Sequence, residues 1–206
     1  SRFQGSILRL VWMKKRFWKF RAWDHVIAFK IARNADIVIM TNDGSQGDRL
    51  LKEMGVASEI IRFWMNGLDI ELFQHLPNID KARQMLGISH KHVLLSVSRL
   101  MELKRVDRAI SILPEVVKGY PDVIFIVVGD GPERENLEQL ANKLGVAEYV
   151  RFEGAVPHNE IPEYLAAADI FLSFYDWSNV GNPLLEAMMA GKCIVTLNNG
   201  DTGQFV

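Results

Sequence analysis

The stretch HVLLSVSRLMELKRVDRAISILPEVVKGYPDVIFIVVGDGP, residues 92–132, decides the fold, because it places one amphipathic helix between two apolar runs. The apolar runs predict strands at His92–Ser98 and Val123–Gly129. The helix between them ends near Gly119 and has a single apolar face. That face carries Val106, Ile110, Leu113 and Val117. A strand, a helix and a second strand at this spacing indicate a parallel βαβ unit.

The same alternation continues towards the end of the chain. Three more apolar runs predict strands at Val150–Gly154, Ile170–Phe174 and Cys193–Leu197. Helical segments lie between the strands: one ends at Gly145, one covers Ile161–Ala168, and one begins near Asn182. The predicted fold class is therefore α/β, with a Rossmann-like parallel sheet that has helices on both faces.

The first part of the chain has a different character. Residues 1–35 hold nine Lys or Arg and a single acid, whereas the whole chain has a net charge of −1. Ser6–Asn34 is helix-compatible and mixes Trp and Phe with these basic residues, which suits an interface. A strand, helix and strand then follow, predicted at Ile37–Thr41, Asp48–Met54 and Glu59–Trp64. We therefore divide the chain into residues 1–64 and residues 65–206.

Composition excludes several classes of protein. Cys193 is the only cysteine, so no internal disulfide can form, and the five histidines follow no zinc pattern. We therefore expect no metal site and no cofactor. No run of about 18 apolar residues predicts a membrane span, and the start does not resemble a cleavable signal peptide.

Residues that bind anions collect after the predicted strands, where α/β sheets bind ligands. Arg99 and Lys104 follow the first long strand, and the turn GDGP, Gly129–Pro132, follows the second. Gly181 and Asn182 lie where the last helix begins and offers its positive end. These groups suit a pyrophosphate. Most such charges are only solvated, however, and GDGP also forms turns for steric reasons, so the residues alone leave both interpretations open.

Glu186 is the one ionisable residue in the apolar helix of SNVGNPLLEAMMAGKCIV, residues 178–195. With Asn182 as N-cap, Pro183 at the first helical position and Gly191 past the end, we expect Glu186 near the positive end of a short helix. A buried acid needs partners, so Glu186 is a candidate site residue.

Several motifs, in order, resemble the retaining GT-B glycosyltransferases, the group 1 glycosyl transferases that include glycogen synthase, sucrose synthase and phosphatidylinositol mannosyltransferases. The motifs that carry this resemblance are MNGLD (65–69), SRLMELKRVDRAI (98–110), VIFIVVGDGPERENLEQLA (123–141), RFEGAVPHNEIPEYLAAADIFLSF (151–174) and NPLLEAMMAGKCIV (182–195). The resemblance implies a GT-B donor-binding domain over residues 65–206, with residues 1–64 as the last part of the acceptor-side domain.

The resemblance also implies roles for individual residues. Arg99 and Lys104 would hold the donor diphosphate and stabilise the leaving nucleotide diphosphate, and Glu186 would accept hydrogen bonds from the two ribose hydroxyls. The remaining donor-binding candidates are Gly129, Gly131, Pro132, Arg151, Gly154, Ser178, Gly181, Asn182, Pro183 and Leu184.

Ser178 departs from the family pattern, which commonly has a second glutamate eight positions before the ribose-binding one. A hydroxyl can hydrogen-bond a sugar but carries no charge to support an oxocarbenium ion. Family members are also roughly twice this length, and the acceptor domain's histidine and glycine-rich loop are not identifiable. We expect the chain to be a fragment or a natural truncation.

These observations predict a metal-independent, retaining hexosyltransferase that moves a sugar from a nucleotide diphosphate sugar to a hydroxyl of a glycan, polysaccharide or lipid carrier. The alternatives are a nucleotide-sugar-binding module that has lost turnover and, with less support, a GT-B nucleotide-sugar epimerase. We expect a cytoplasmic protein. Residues 9–33 would either bind an anionic surface on the inner face of the membrane or pack against the missing lobe. Nucleic acid is not expected, because the aromatics form no recognisable stacking platform.

Overall fold

The computed structural model of the chain describes residues 30–41, 47–64, 67–176, 180–199 and 202. These residues fall into two compact units. The larger unit consists of Leu68–Asp176 and Asn182–Asn198, and the smaller unit contains the other described residues.

The smaller unit is built on two parallel strands, β1 (Val38–Thr41) and β2 (Ile61–Trp64), with helix α1 (Gly47–Glu53) between them in the chain. Its apolar core consists of Ala32, Val38, Met40, Leu51, Val56 and Ile61. The predicted strand over Glu59–Trp64 starts two residues late, because Ser58–Ile60 forms a 3₁₀ turn. Of the predicted basic segment Ser6–Asn34, residues 30–34 are described, and residues 30–33 are helical. Met65 and Asn66 of the predicted MNGLD turn lie outside the described residues.

A five-stranded parallel sheet forms the centre of the larger unit, in the order β5-β4-β3-β6-β7. The strands are β3 (His92–Val97), β4 (Val123–Val128), β5 (Val150–Gly154), β6 (Ile170–Ser173) and β7 (Cys193–Thr196). All five predicted strands are confirmed, with ends that agree to within one residue.

Helices cover both faces of this sheet, as the alternation of strands and helices predicts. They are α2 (Ile70–Phe73), α3 (Ile79–Met85), α4 (Val106–Gly119), α5 (Arg134–Lys143), α6 (Ile161–Ala167) and α7 (Asn182–Met189). The apolar faces of α4 and α5 pack on one another and on β3 and β4, around the buried Ile110, Leu113 and Phe125. Helix α3 packs against α6, which contacts β3. The one-turn helix α2 was not predicted, because its four residues are too few for a periodic pattern.

The order of the strands places a topological switch between β3 and β6. From β3 the chain proceeds outward through β4 to β5, then returns to the other side of β3 for β6 and β7. Ligands of parallel α/β sheets bind in the crevice at such a point, outside the carboxyl ends of the strands. The parallel register puts Val97 of β3 beside Val128 of β4, so the residues after both strands emerge at this same edge.

Helix α7 corrects one expectation. It begins at Asn182 itself rather than after an Asn182 cap, and Glu186 is the fifth of its eight residues, outside the first turn. The sequence could not fix the boundary, because cap and first-turn positions differ by a single residue. The favourable interaction of an anion with the positive end of a helix falls off within the first turn, so it does not explain why the Glu186 carboxylate is buried. The predicted stop is confirmed: Gly191 lies just past the end, and its N–H donates to Met188 O at 3.0 Å.

We predict that Gly129→Ala destabilises the protein by about 2 kcal/mol or more. A Cβ at Gly129 would lie 1.9 Å from the carbonyl oxygen of Ser98, and the φ of +128° disfavours any side chain. Gly119→Ala is the matched control, because nothing lies within 4 Å of its Cβ position and its φ is not positive. We expect the control to shift the free energy of unfolding by less than about 1 kcal/mol. Equal stabilities of the two variants in urea unfolding would contradict this packing.

Candidate functional site

A cavity of about 490 Å³ opens at the carboxyl edge of the larger unit's sheet. Its walls come from the ends of β3 and β4, the segment after β5, and the start of α7. The lining residues are Val97, Ser98, Arg99, Val128, Gly129, Asp130, Ala155, Val156, His158, Ile161, Asn182, Pro183 and Glu186. Five of the predicted site residues are therefore brought together: Arg99, Gly129, Asn182, Pro183 and Glu186.

Arg99 is held at the cavity by the backbone on either side of it. Ser98 N–H donates to Val128 O at 3.0 Å, and Leu100 N–H donates to Asp130 O at 2.9 Å. The Arg99 side chain is exposed and makes no hydrogen bond or ion pair with any other described residue. A fixed backbone and an unpaired guanidinium suit recognition of an anion from solvent.

The GDGP turn shapes the cavity by its close approach to the end of β3. The position of a Cβ at Gly131 lies 2.3 Å from the carbonyl oxygen of Leu100, which is also the acceptor for Glu133 N–H at 3.1 Å. Gly129 N–H donates to Gly154 O at 2.7 Å, so the turn is joined to the end of β5 as well. Gly131, Pro132 and Gly154 do not line the cavity. The glycines of this turn are therefore required by packing, whatever the cavity binds.

Glu186 is a buried carboxylate in the cavity wall, with 3% of its side chain exposed. Its Oε1 lies 2.9 Å from Nε2 of His158, whose side chain is 58% exposed. His158 belongs to the 3₁₀ turn His158–Glu160 that follows β5. The partner that a buried acid requires is thus a histidine brought in from another element.

Lys104 does not line this cavity. It ends the 3₁₀ turn Glu102–Lys104, and its ammonium lies 3.9 Å from the centroid of the Tyr175 ring, in a cation–π contact. Burial lowers the pKa of Lys104 from its ordinary value. Burial also raises the pKa of Tyr175 to about 12, so the phenol stays neutral near pH 7.

The turn that carries Lys104 is locked to the segment after β6 by an ion-pair network. Arg105, in the left-handed conformation at φ 50°, donates to Asp176 at 3.0 and 3.1 Å and also to Asp107. Arg108 donates to the same Asp176 at 2.6 Å. Burial alone would raise the pKa of Asp176, but the hydrogen bonds and charges of the two arginines outweigh it and lower that pKa. The network fixes the chain around Lys104 against the end of β6.

The other predicted site residues lie apart from the cavity. Arg151 on β5 is paired with Glu153 and donates to Leu86 O at 3.1 Å. Gly181 and Leu184 are buried and do not line the cavity, and Ser178 lies outside the described residues.

His158 and Asp130 line the cavity but were missed as side chains by the sequence reasoning. His158 was counted among scattered histidines without a zinc pattern, yet it lies four residues after the end of a predicted strand, at the same sheet edge as Arg99. That position is the signal that could have identified it. Asp130 was treated only as part of a turn; its Oδ1 accepts from Gly131 N–H at 2.7 Å.

Two further properties follow from the described part of the chain. No three His, Cys, Asp or Glu side chains within it are grouped so that they could hold a metal ion. None of the helices described there has the length and apolar character needed to span a bilayer.

Comparisons with known proteins agree with this fold. Residues 78–206 match the family model described as Glycosyl transferases group 1. The chain is 30% identical over 185 residues to the GDP-mannose-dependent alpha-(1-6)-phosphatidylinositol monomannoside mannosyltransferase of Mycolicibacterium smegmatis; this match covers 86% of the chain and 48% of that protein. It is 27% identical over 154 residues to the 2-deoxystreptamine glucosyltransferase of Streptomyces kanamyceticus, which covers 73% of the chain and 40% of that protein. The chain thus spans about half the length, or less, of these relatives.

Two solved structures are similar in fold. Alr3699/HepE of Anabaena in complex with UDP superposes with a TM-score of 0.77 at 28% identity, over 91% of this chain and 52% of that one. WaaG, a glycosyltransferase involved in lipopolysaccharide biosynthesis, gives a TM-score of 0.75 at 28% identity, with the same coverage of the two chains.

We predict that Asp176→Asn destabilises the protein by about 1 kcal/mol at neutral pH, and by less at an acidic pH below 3.8. The folded-state pKa of Asp176 lies below its ordinary value of 3.8, so its ion pairs stabilise the fold above that value and are lost as the pH falls. Asp122→Asn is the control, because Asp122 is exposed and its side chain has no ion pair among the described residues. Urea unfolding at both pH values measures the difference. A cost that does not change with pH would contradict the network.

Proposed function

Because the chain belongs to the glycosyl transferases group 1 family, we propose that it binds the donor, a nucleotide diphosphate sugar, for transfer of the sugar to a hydroxyl acceptor. One observation supports this proposal most strongly. A single cavity at the switch point of a parallel sheet combines an unpaired Arg99, the start of α7 and the buried carboxylate of Glu186. A cation and helix amides suit a diphosphate, and a carboxylate suits a pair of hydroxyls.

In this proposal, Arg99 and the first amides of α7 bind the diphosphate, and Glu186 accepts hydrogen bonds from the ribose hydroxyls. The bond between the anomeric carbon and the diphosphate oxygen breaks, and its electron pair leaves with the nucleotide diphosphate. The acceptor oxygen bonds to the anomeric carbon, and the proton of its hydroxyl passes to the departing diphosphate. Arg99 and Lys104 stabilise the charge that develops on the leaving diphosphate, which is the task that a metal ion performs in other transferases. Lys104 would reach the phosphates only with its ammonium turned from the Tyr175 ring towards the cavity.

The finer features of the reaction rest on the family resemblance. We infer a retaining hexosyltransferase that needs no metal ion, with Ser178 near the donor sugar in place of the family's second glutamate. The acceptor would be a hydroxyl of a glycan, a polysaccharide or a lipid carrier. One relative is a phosphatidylinositol monomannoside mannosyltransferase, and the similar WaaG is involved in lipopolysaccharide biosynthesis. A lipid acceptor would suit a cytoplasmic protein that is peripheral to the inner face of a membrane and binds that anionic surface through residues 9–33.

Measuring the affinity of the chain for UDP and for GDP would show which base the cavity accepts. One relative is GDP-mannose-dependent, whereas one similar structure contains UDP. The backbone of Gly129, Ala155 and Val156 would surround the base, and the sequence does not reveal which base such backbone contacts accept. Binding experiments on this chain should therefore use both UDP and GDP.

We predict that the chain binds UDP or GDP, and that Arg99→Ala and Glu186→Gln each weaken binding by about tenfold or more, because each removes a charged partner. Isothermal titration calorimetry measures the affinities. Arg49→Ala is the charge-matched control, since Arg49 is exposed in the smaller unit. Equal affinities of all four proteins would refute the site, and no binding by the wild type would refute the proposed function.

We also predict that diphosphate affinity decreases at alkaline pH before an ordinary lysine would lose its proton. Burial lowers the pKa of Lys104, so the ammonium that would stabilise the phosphates is lost as the pH rises through that lowered value. In Lys104→Arg the cation persists, and the decrease should disappear. Titrations with UDP and GDP between about pH 7 and about pH 10 test this. Identical pH profiles for wild type and variant would exclude Lys104 from the diphosphate site.

A further inference from the structure

Glu186 has a role in the function proposed above, but its contact with His158 does not. The two side chains line the same cavity, and their Nε2 and Oε1 atoms are 2.9 Å apart. Their exposures differ widely, since the carboxylate is 3% exposed and the imidazole side chain 58%. The pair therefore joins a buried acid to a largely exposed imidazole in the wall of one cavity.

The chemistry of the pair fixes its direction. An ionised carboxylate only accepts hydrogen bonds, so with Glu186 ionised the Nε2–H of His158 is the donor and Oε1 the acceptor. No other described residue donates a hydrogen bond to this carboxylate. Each carboxylate oxygen has two lone pairs, so Glu186 can keep this bond and still accept from two hydroxyls.

The imidazole itself is supported by an aromatic neighbour. The ring of Phe73 in α2 meets the His158 ring edge to face, with the centroids 6.3 Å apart and the planes at 63°. Phe73 is buried at 4% exposure, so it forms a fixed support. His158 is thus held by packing on one side while its Nε2 is directed at Glu186.

We propose that His158 is a positioning residue that orients the Glu186 carboxylate towards the two ribose hydroxyls of a bound nucleoside diphosphate. This inference rests on the proposed function, because it assigns His158 to the same site. Without the imidazole, the buried carboxylate loses its hydrogen-bond donor and is free to rotate away from the cavity or to bind a proton instead. A carboxylate in either state no longer distinguishes a ribose from a ribose that lacks one hydroxyl.

The experiment compares UDP and GDP with dUDP and dGDP, their 2′-deoxy forms, by calorimetry on the 206-residue chain. For wild type we expect the ribonucleotide to bind about tenfold more tightly than the deoxynucleotide. In His158→Ala this ratio should fall to about one, mainly through weaker binding of the ribonucleotide. His158→Gln, whose amide can still donate a hydrogen bond, should restore part of the ratio.

His92→Ala is the matched control. His92 also packs edge to face on an aromatic ring, that of Tyr120 at 5.3 Å, but it begins β3 at the opposite edge of the sheet. Its loss should leave the ratio at the wild-type value. Circular dichroism confirms that each variant is folded, and His158→Gln decides the question by itself if His158→Ala does not fold.

The outcomes separate the inference from the function on which it rests. Wild type that binds neither nucleotide overturns both the proposed function and the role of His158. Wild type that prefers the ribonucleotide, together with a His158→Ala protein that keeps the same ratio, overturns only the role of His158. An equal loss of affinity for the ribonucleotide and the deoxynucleotide also overturns the role of His158, because a merely structural role would have that effect.

Discussion

The close backbone contact between the GDGP turn and the end of β3 is the constraint on which the rest of the site depends. At Gly129 and Gly131, a side chain would collide with the carbonyl oxygens of Ser98 and Leu100. Hydrogen bonds from Ser98 and Leu100 to the chain around the turn close the same contact. Because the turn occupies this space, Arg99 emerges beside the cavity and β5 is joined to the same edge. Arg99, the proposed anion-binding residue, is therefore positioned by glycine packing rather than by partners of its own side chain.

Burial of Glu186 supplies the second constraint. A carboxylate with 3% exposure must be hydrogen-bonded. Glu186 lies outside the first turn of α7, so the free N–H groups at the start of that helix do not supply the hydrogen bond. The 3₁₀ turn after β5 supplies His158 as its partner instead, and the pair leaves acceptor capacity for a ligand. A guanidinium and a carboxylate acceptor in the same cavity suit the two parts of a nucleoside diphosphate, a phosphate group and a sugar diol.

The strands and the long helices were predictable because their patterns are local. The apolar runs of β3 and β4 and the amphipathic face of α4 determine their own secondary structure, and the parallel order follows from the alternation. Arg99 and Gly129 could be placed at one edge because each follows the carboxyl end of a strand, and Glu186 because its short helix starts at that edge. The contact between His158 and Glu186 joins residues 28 positions apart, so no spacing reveals it. Glu186 was expected one helical position earlier than it lies, since the first residue of α7 is not fixed by its sequence.

A crystal structure of the chain with UDP or GDP bound tests the central claim most directly. The nucleotide should occupy the cavity at the carboxyl edge of the sheet, with the ribose hydroxyls within hydrogen-bond distance of Glu186 and a phosphate within reach of Arg99. Density for the nucleotide at another surface, or in this cavity with the ribose turned away from Glu186, would contradict it.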